Sequence, residues 1–149
     1  MKIGFICTGN SARSQMAEGY AKHFAKLYKK QVEIYSAGSS PAECIHPLAV
    51  KVMQEEGIDI SSQHPKSIES IPYWELDIVI TLCGDAAETC PYLPGTRSEH
   101  WGLPDPAKAQ GSEEERLEFF RRVRDEIKLK VENLIKELKD EEYQDNKRI

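Results

Sequence analysis

Apolar residues dominate from Lys2 to Cys7 and again from Asp77 to Leu82, where the sequence reads DIVITL. Short apolar runs of this kind, β-branched in the second case, predict strands buried on both faces. From Ser14 the spacing changes. Met16, Ala17, Tyr20, Ala21, Phe24, Leu27 and Tyr28 recur every three or four positions, while Lys22, Lys26 and Lys29 share another face. That period predicts an amphipathic helix. Gln31 to Ala37 alternates through Val32, Ile34 and Tyr35 as a second strand, ended by Ala37-Gly38-Ser39-Ser40-Pro41. Pro47 suits the first turn of a helix carrying Leu48, Val52 and Met53, with Gly57 as its stop. Arg97 to Trp101 is a weaker strand. Ser112-Glu113-Glu114-Glu115 is a capping box, and behind it Leu117, Phe120, Val123, Ile127, Val131, Leu134 and Leu138 mark the last helix.

This order predicts one α/β domain over residues 1–138, with a mainly parallel four-stranded sheet flanked by helices. Residues 139–149 are mostly charged and are expected to form a frayed C-terminal tail. In parallel sheets, ligands bind beyond the carboxyl ends of the strands. Cys7, Cys83 and Asp105 each follow a predicted strand, so three reactive groups fall on one edge. That coincidence points to function.

Composition narrows the classes. The chain has 149 residues, which suits a single domain of about 100–150 residues. Apolar residues are 40% and charged residues 30%, a globular balance. No apolar run approaches the ~18 residues of a membrane span, so no membrane association is expected. Ile3–Cys7 is too short for a signal-peptide core, and a cytoplasmic location is the expectation. A net charge of -5 argues against generic nucleic-acid binding. Residues 1–31 nevertheless hold six basic residues and one acidic. This end either draws in anionic substrate or is an ordinary solvated lysine face.

Position must sort the four cysteines, Cys7, Cys44, Cys83 and Cys90. In Cys7-Thr8-Gly9-Asn10-Ser11-Ala12-Arg13-Ser14, a cysteine and an arginine flank five mostly small residues between a strand and a helix. Small residues let the backbone curl with its N–H groups inward, and the helix adds its own unpaired N–H groups and positive dipole end. The product is a cradle for a tetrahedral oxyanion, which Arg13 grips with its planar fork. Helix N-termini and guanidinium groups lower a thiol pKa from about 8.5 to roughly 3.5–7.5, so Cys7 reads as a thiolate nucleophile. Ser14 can bond the sulfur, and Asn10 can brace the loop in left-handed backbone. The plain alternative is a buried structural cysteine beside a surface arginine.

The motif Cys-Thr-Gly-Asn-Ser-x-Arg-Ser-Gln-Met-Ala-Glu-Gly resembles the anion loop of the low-molecular-weight protein tyrosine phosphatase superfamily. It is most similar to the branch of thioredoxin-coupled arsenate reductases. The likeness continues through Tyr35-Ser36-Ala37-Gly38, Gly57-Ile58-Asp59-Ile60-Ser61, Thr81-Leu82-Cys83-Gly84-Asp85-Ala86, Glu99-His100-Trp101-Gly102, Asp105-Pro106-Ala107 and Phe120 to Ile127. It covers nearly the whole chain apart from the tail.

The resemblance implies a relay. Cys7 attacks arsenate, Cys83 attacks Cys7 as arsenite leaves, and Cys90 attacks Cys83, whose disulfide thioredoxin then reduces. Spacing shows less. Six residues lie between Cys83 and Cys90, about 10 Å if helical, whereas a disulfide needs α-carbons roughly 4.4–6.8 Å apart. That pairing therefore demands motion. The alternative implied activity is phosphate monoester hydrolysis through Cys7, Arg13 and Asp105, with Cys83 and Cys90 as redox protection. A non-enzymatic oxyanion or redox sensor is a third reading, weakened by the absence of a DNA-reading motif.

Pro104-Asp105-Pro106 presents Asp105 either as a general acid or as a turn carboxylate capping the next segment. Phosphatases of the family tend to place Tyr after Asp-Pro; Ala107 stands here. Ser62 to Ser67 instead drifts toward the phosphatase pattern. Zinc is unsupported, because Cys44, His46, Cys83, Cys90, His64 and His100 match no common zinc spacing. No metal and no cofactor are expected, and Cys44 reads as a partly buried bystander. Some reductases of this family carry a potassium site matching Asn10, Glu18 and Ser36, with Asp near position 66. Lys66 stands there, so weak or no potassium dependence is expected, with the Lys66 ammonium in the cation's place. The expected partners are arsenate and thioredoxin, and the expected state is a monomer.

Overall fold

The computed structural model describes residues 1–82 and 96–138. Cys83, Cys90 and the predicted tail lie outside the described residues. The elements are β1 (Lys2–Cys7), α1 (Arg13–Leu27), β2 (Glu33–Gly38), α2 (Pro47–Glu55), β3 (Ile78–Thr81), β4 (Arg97–His100) and α3 (Glu113–Glu137). Short 3-10 turns occupy Ile68–Ser70, Tyr73–Glu75 and Pro106–Lys108. The strands form one parallel sheet in the order β2-β1-β3-β4. Their carboxyl ends, at Cys7, Gly38, Thr81 and His100, therefore share one edge.

β1 and β3 are the inner strands, and their side chains from Ile3 to Cys7 and from Ile78 to Thr81 are buried. This is the environment that a continuous apolar run predicts. β4, at the sheet edge, is polar throughout, which explains its weak sequence signal. β2 begins two residues later than the alternation suggests. Lys29 adopts φ 55° and the Lys30 N–H closes on the Ala25 carbonyl at 2.8 Å, so the turn after α1 consumes residues as far as Val32.

α1 packs against α3, and α2 also packs against α3. The Ser112–Glu115 capping box forms, each residue's side chain bonding the other's backbone N–H. Arg124, buried on α3, donates to the Val52 carbonyl and to Glu55, both at 2.9 Å. A cation at the last turn of α2 also complements that helix dipole. Gly57, at φ 77°, supplies the left-handed residue beyond α2. Among the described residues, no helix is long and apolar enough to cross a membrane.

This helix packing carries a pH dependence. Hydrogen bonds from Arg121 hold Glu55 below the ordinary carboxylate value, and the bond from Lys128 does the same for Glu56. His46 caps α2 by accepting the Leu48 N–H on Nδ1 at 3.1 Å, and its ring lies on Phe120. Burial, then the charge of Arg116, push His46 below 6.5. In each case the unfolded chain binds more protons between the two values, so stability falls as pH falls. The urea midpoint is expected to drop below pH about 6.5 and again below about 4.5. His46→Asn keeps a cap acceptor without titrating and is expected to remove the first drop. A wild-type midpoint flat from about pH 7 to about pH 5 contradicts the His46 assignment.

Candidate active site

Residues 7–12 curl between β1 and α1, and each of their carbonyls has a donor. Those of Cys7, Thr8, Gly9 and Ser11 accept from the N–H groups of Ser39, Ser40, Ala42 and His46 at 3.2, 2.9, 2.9 and 2.8 Å. Ala12 accepts from Met16 N–H at 2.9 Å, and Asn10 from Gln15 Nε2 at 3.0 Å. A peptide unit is planar and trans, so an outward carbonyl turns the next N–H the other way. Among the described residues, the N–H groups of Gly9, Ser11, Ala12, Arg13 and Ser14 have no acceptor. The loop is thus a backbone cradle opening at the N-terminus of α1.

The loop lies hard against the end of β2. A Cβ on Gly38 would sit 2.5 Å from the Thr8 carbonyl oxygen and 3.1 Å from Asn10 N, so only glycine admits this approach. Asn10 takes the left-handed backbone expected of it, with φ 50°. Its side chain donates to Ser14 Oγ at 2.7 Å and accepts from Gln15 Nε2 and Lys66 N–H, both at 3.0 Å.

Cys7 Sγ sits at the base of the cradle, 2% exposed. Asn10 N–H donates to it at 3.1 Å, and Ser14 Oγ lies 2.8 Å away. Asn10 Nδ2 already occupies one Ser14 lone pair, which leaves the hydroxyl proton free to point at the sulfur. Two donors on one sulfur favour its anionic form.

Arg13 opens α1 and is buried. Its Nη1 donates to the Leu103 carbonyl at 2.9 Å, and its Nη2 lies 3.7 Å from Asp105 Oδ2. The 101–105 segment is anchored beneath by Trp101 packed on Phe5, and by Trp101 and Leu103 N–H bonds to Thr81 and Leu82. Asp105 Oδ1 accepts from Ala107 N–H at 3.0 Å. One oxygen of this carboxylate therefore caps the 3-10 turn, and the other faces Arg13.

Residues 2–144 match the family model for low molecular weight phosphotyrosine protein phosphatase. The chain belongs to that family. Within it, the chain is similar to the arsenate reductase of Bacillus subtilis (strain 168), at 54% identity over 126 residues, 84% of this chain and 88% of the relative. It also resembles a solved arsenate reductase in the phosphate binding state, with TM-score 0.75, 37% identity, and 93% and 98% of the two chains covered. A third similarity is to a thioredoxin-dependent arsenate reductase from Corynebacterium glutamicum, with TM-score 0.72, 31% identity, and 91% and 60% covered.

This member of the phosphatase family departs from expectation at Cys44, which is exposed rather than partly buried. Segment 39–46, bent at 39–40 and 43–44, lays its backbone along the outside of the loop. Residues 39–44 are all exposed and the chain turns inward only at Ile45, 9% exposed, so Cys44 stays in solvent. Lys66 Nζ lies 3.6 Å from the buried Glu18 Oε1 and 3.4 Å from Ser36 Oγ, and donates to the His64 carbonyl at 3.1 Å. Lys22 Nζ reaches Glu18 Oε2 at 2.5 Å, and Ser36 also bonds Glu18. A carboxylate already facing two ammonium groups does not fit a potassium ion as well. Sequence reasoning did not single out Gln15, Gly38 or the 39–46 backbone. Gln15 carried one signal, a polar residue adjoining Met16 at the start of the apolar stripe of α1; its complete burial is a tertiary fact.

Proposed function

We propose that the protein is a cytoplasmic arsenate reductase that passes electrons through Cys7, Cys83 and Cys90 and receives them from thioredoxin. The observation that carries the reading is the cradle around Cys7 Sγ, in a chain 54% identical to a bacterial arsenate reductase. Thr8 to Ser14 bind the oxyanion, and the Arg13 fork holds two of its oxygens. Cys7 attacks arsenic. Asp105, whose Oδ2 lies 3.7 Å from Arg13 Nη2, protonates the departing hydroxyl, and water leaves. Cys83 then attacks Cys7 sulfur. The sulfur–arsenic bonding pair stays on arsenic, arsenite departs and a Cys7–Cys83 disulfide remains. Cys90 attacks Cys83 and frees Cys7, and a dithiol reductant opens Cys83–Cys90.

The same cradle accepts phosphate, so monoester hydrolysis through a phosphocysteine is the second reading, favoured by the family match. Ala107 stands where phosphatases of the family tend to place tyrosine, which favours the small oxyanion over an aryl ester. The deciding assay supplies arsenate, thioredoxin, thioredoxin reductase and NADPH. Arsenate-dependent NADPH loss is expected; none, alongside steady aryl phosphate hydrolysis, establishes the phosphatase instead.

The Lys66 ammonium serves as a built-in cation beside Glu18 and Ser36. Turnover is therefore expected to be equal, within about twofold, in sodium and potassium buffers of the same ionic strength. Strong activation by potassium over sodium overturns this role.

A further inference from the structure

We propose that Gln15 is a positioning residue for the anion loop: its buried side-chain amide holds the Asn10 carbonyl and thereby aims the Ser11 N–H at the bound oxyanion. The inference rests on reading this loop as the oxyanion site.

Five of the six loop carbonyls, those of Cys7, Thr8, Gly9, Ser11 and Ala12, are held by backbone N–H groups. Such anchors persist whatever side chain the donor carries. Asn10 is the exception. It is the one loop residue at positive φ, where the chain reverses, and its carbonyl leaves the row served by segment 39–46. Gln15 meets it there. Gln15 Nε2 lies 3.0 Å from Asn10 O, 3.0 Å from Asn10 Oδ1 and 2.9 Å from the His64 carbonyl. Gln63 Nε2 donates to Gln15 Oε1 at 2.8 Å and so fixes which end of the amide faces the loop. Both Gln15 and Asn10 are 0% exposed, so no solvent replaces the lost donor.

The Asn10 carbonyl and the Ser11 N–H belong to one planar peptide unit and point in opposite directions. Ser11 N–H has no acceptor among the described residues. Gln15 therefore sets the direction of an anion donor that it never touches. Without its donor, a buried carbonyl gains by rotating the peptide, and the Ser11 N–H swings with it. Losing one hydrogen bond to a charged group corresponds to about tenfold to hundredfold in affinity.

The test is inorganic phosphate titration by calorimetry on the reduced full chain, with arsenate kinetics alongside. Gln15→Met keeps the length and removes the donor; Gln15→Glu keeps the shape and, ionised, places a charge against three acceptors. Both are expected to raise the phosphate Kd at least about tenfold and to raise KM for arsenate more than they lower kcat. Gln63→Met, which removes only the support behind Gln15, is expected to shift Kd less than about threefold. A lower urea midpoint with Kd and KM unchanged in either Gln15 variant makes Gln15 a stability residue and overturns the proposal. Wild type that binds no phosphate sinks the oxyanion site itself. Wild type that binds it, with variants binding equally, sinks only the role of Gln15.

Discussion

Cys7→Ser is expected to abolish arsenate-dependent NADPH consumption, a loss on the order of 10⁴-fold or more, while phosphate still binds. The backbone cradle and Arg13 do not depend on the sulfur, so anion affinity survives. A serine hydroxyl in the same place keeps its proton and cannot form the disulfide that returns two electrons to arsenic. Cys83→Ser and Cys90→Ser are expected to fail differently. Cys83→Ser stops at the arsenic adduct of Cys7. Cys90→Ser completes one reduction and accumulates the Cys7–Cys83 disulfide, visible as a loss of two hydrogens by mass spectrometry. If Cys83→Ser and Cys90→Ser keep full thioredoxin-coupled turnover, the relay is wrong. Aryl phosphate hydrolysis that dies only in Cys7→Ser then identifies a phosphatase.

Arg13→Lys is expected to lower kcat/KM for arsenate by about 10²–10³, the usual consequence of losing a preorganised oxyanion donor. The substitution keeps the charge, so the loss isolates geometry. Arg13 ties the Leu103 carbonyl to the loop with one nitrogen while the other faces Asp105 at 3.7 Å. A lysine ammonium is a point charge on a flexible stem and cannot hold the acid segment and fork two oxygens together. The effect is therefore expected in kcat as well as KM, because Asp105, the proposed acid, loses the guanidinium it faces. A loss under tenfold in kcat/KM means the cradle N–H groups carry the anion and Arg13 is secondary.

Legibility followed sequence distance. The Cys7 to Arg13 spacing was readable because strand, loop and helix N-terminus are contiguous, and small residues there have one physical use. The capping box at Ser112 and the stop at Gly57 were readable for the same reason. Cys44 was misread because burial of a free cysteine is only a tendency. What turned it outward is the line of backbone bonds from segment 39–46 to the loop, which no local pattern announces. Gly38 read as the end of a strand, yet its missing Cβ is what lets the loop lie on β2. Lys66 was readable only by its resemblance to a family position; its distance to Glu18 is a tertiary fact.

The sequence by itself determined the α/β order and the strand–loop–helix setting of Cys7 and Arg13, because strand and helix periods and turn residues act over a few positions. The tertiary structure decided how the cradle is held open. Its carbonyls are satisfied by a segment some thirty residues away and by one buried glutamine. Backbone hydrogen bonds across such separations leave no trace in residue identity, since every residue but proline carries the same donor and acceptor.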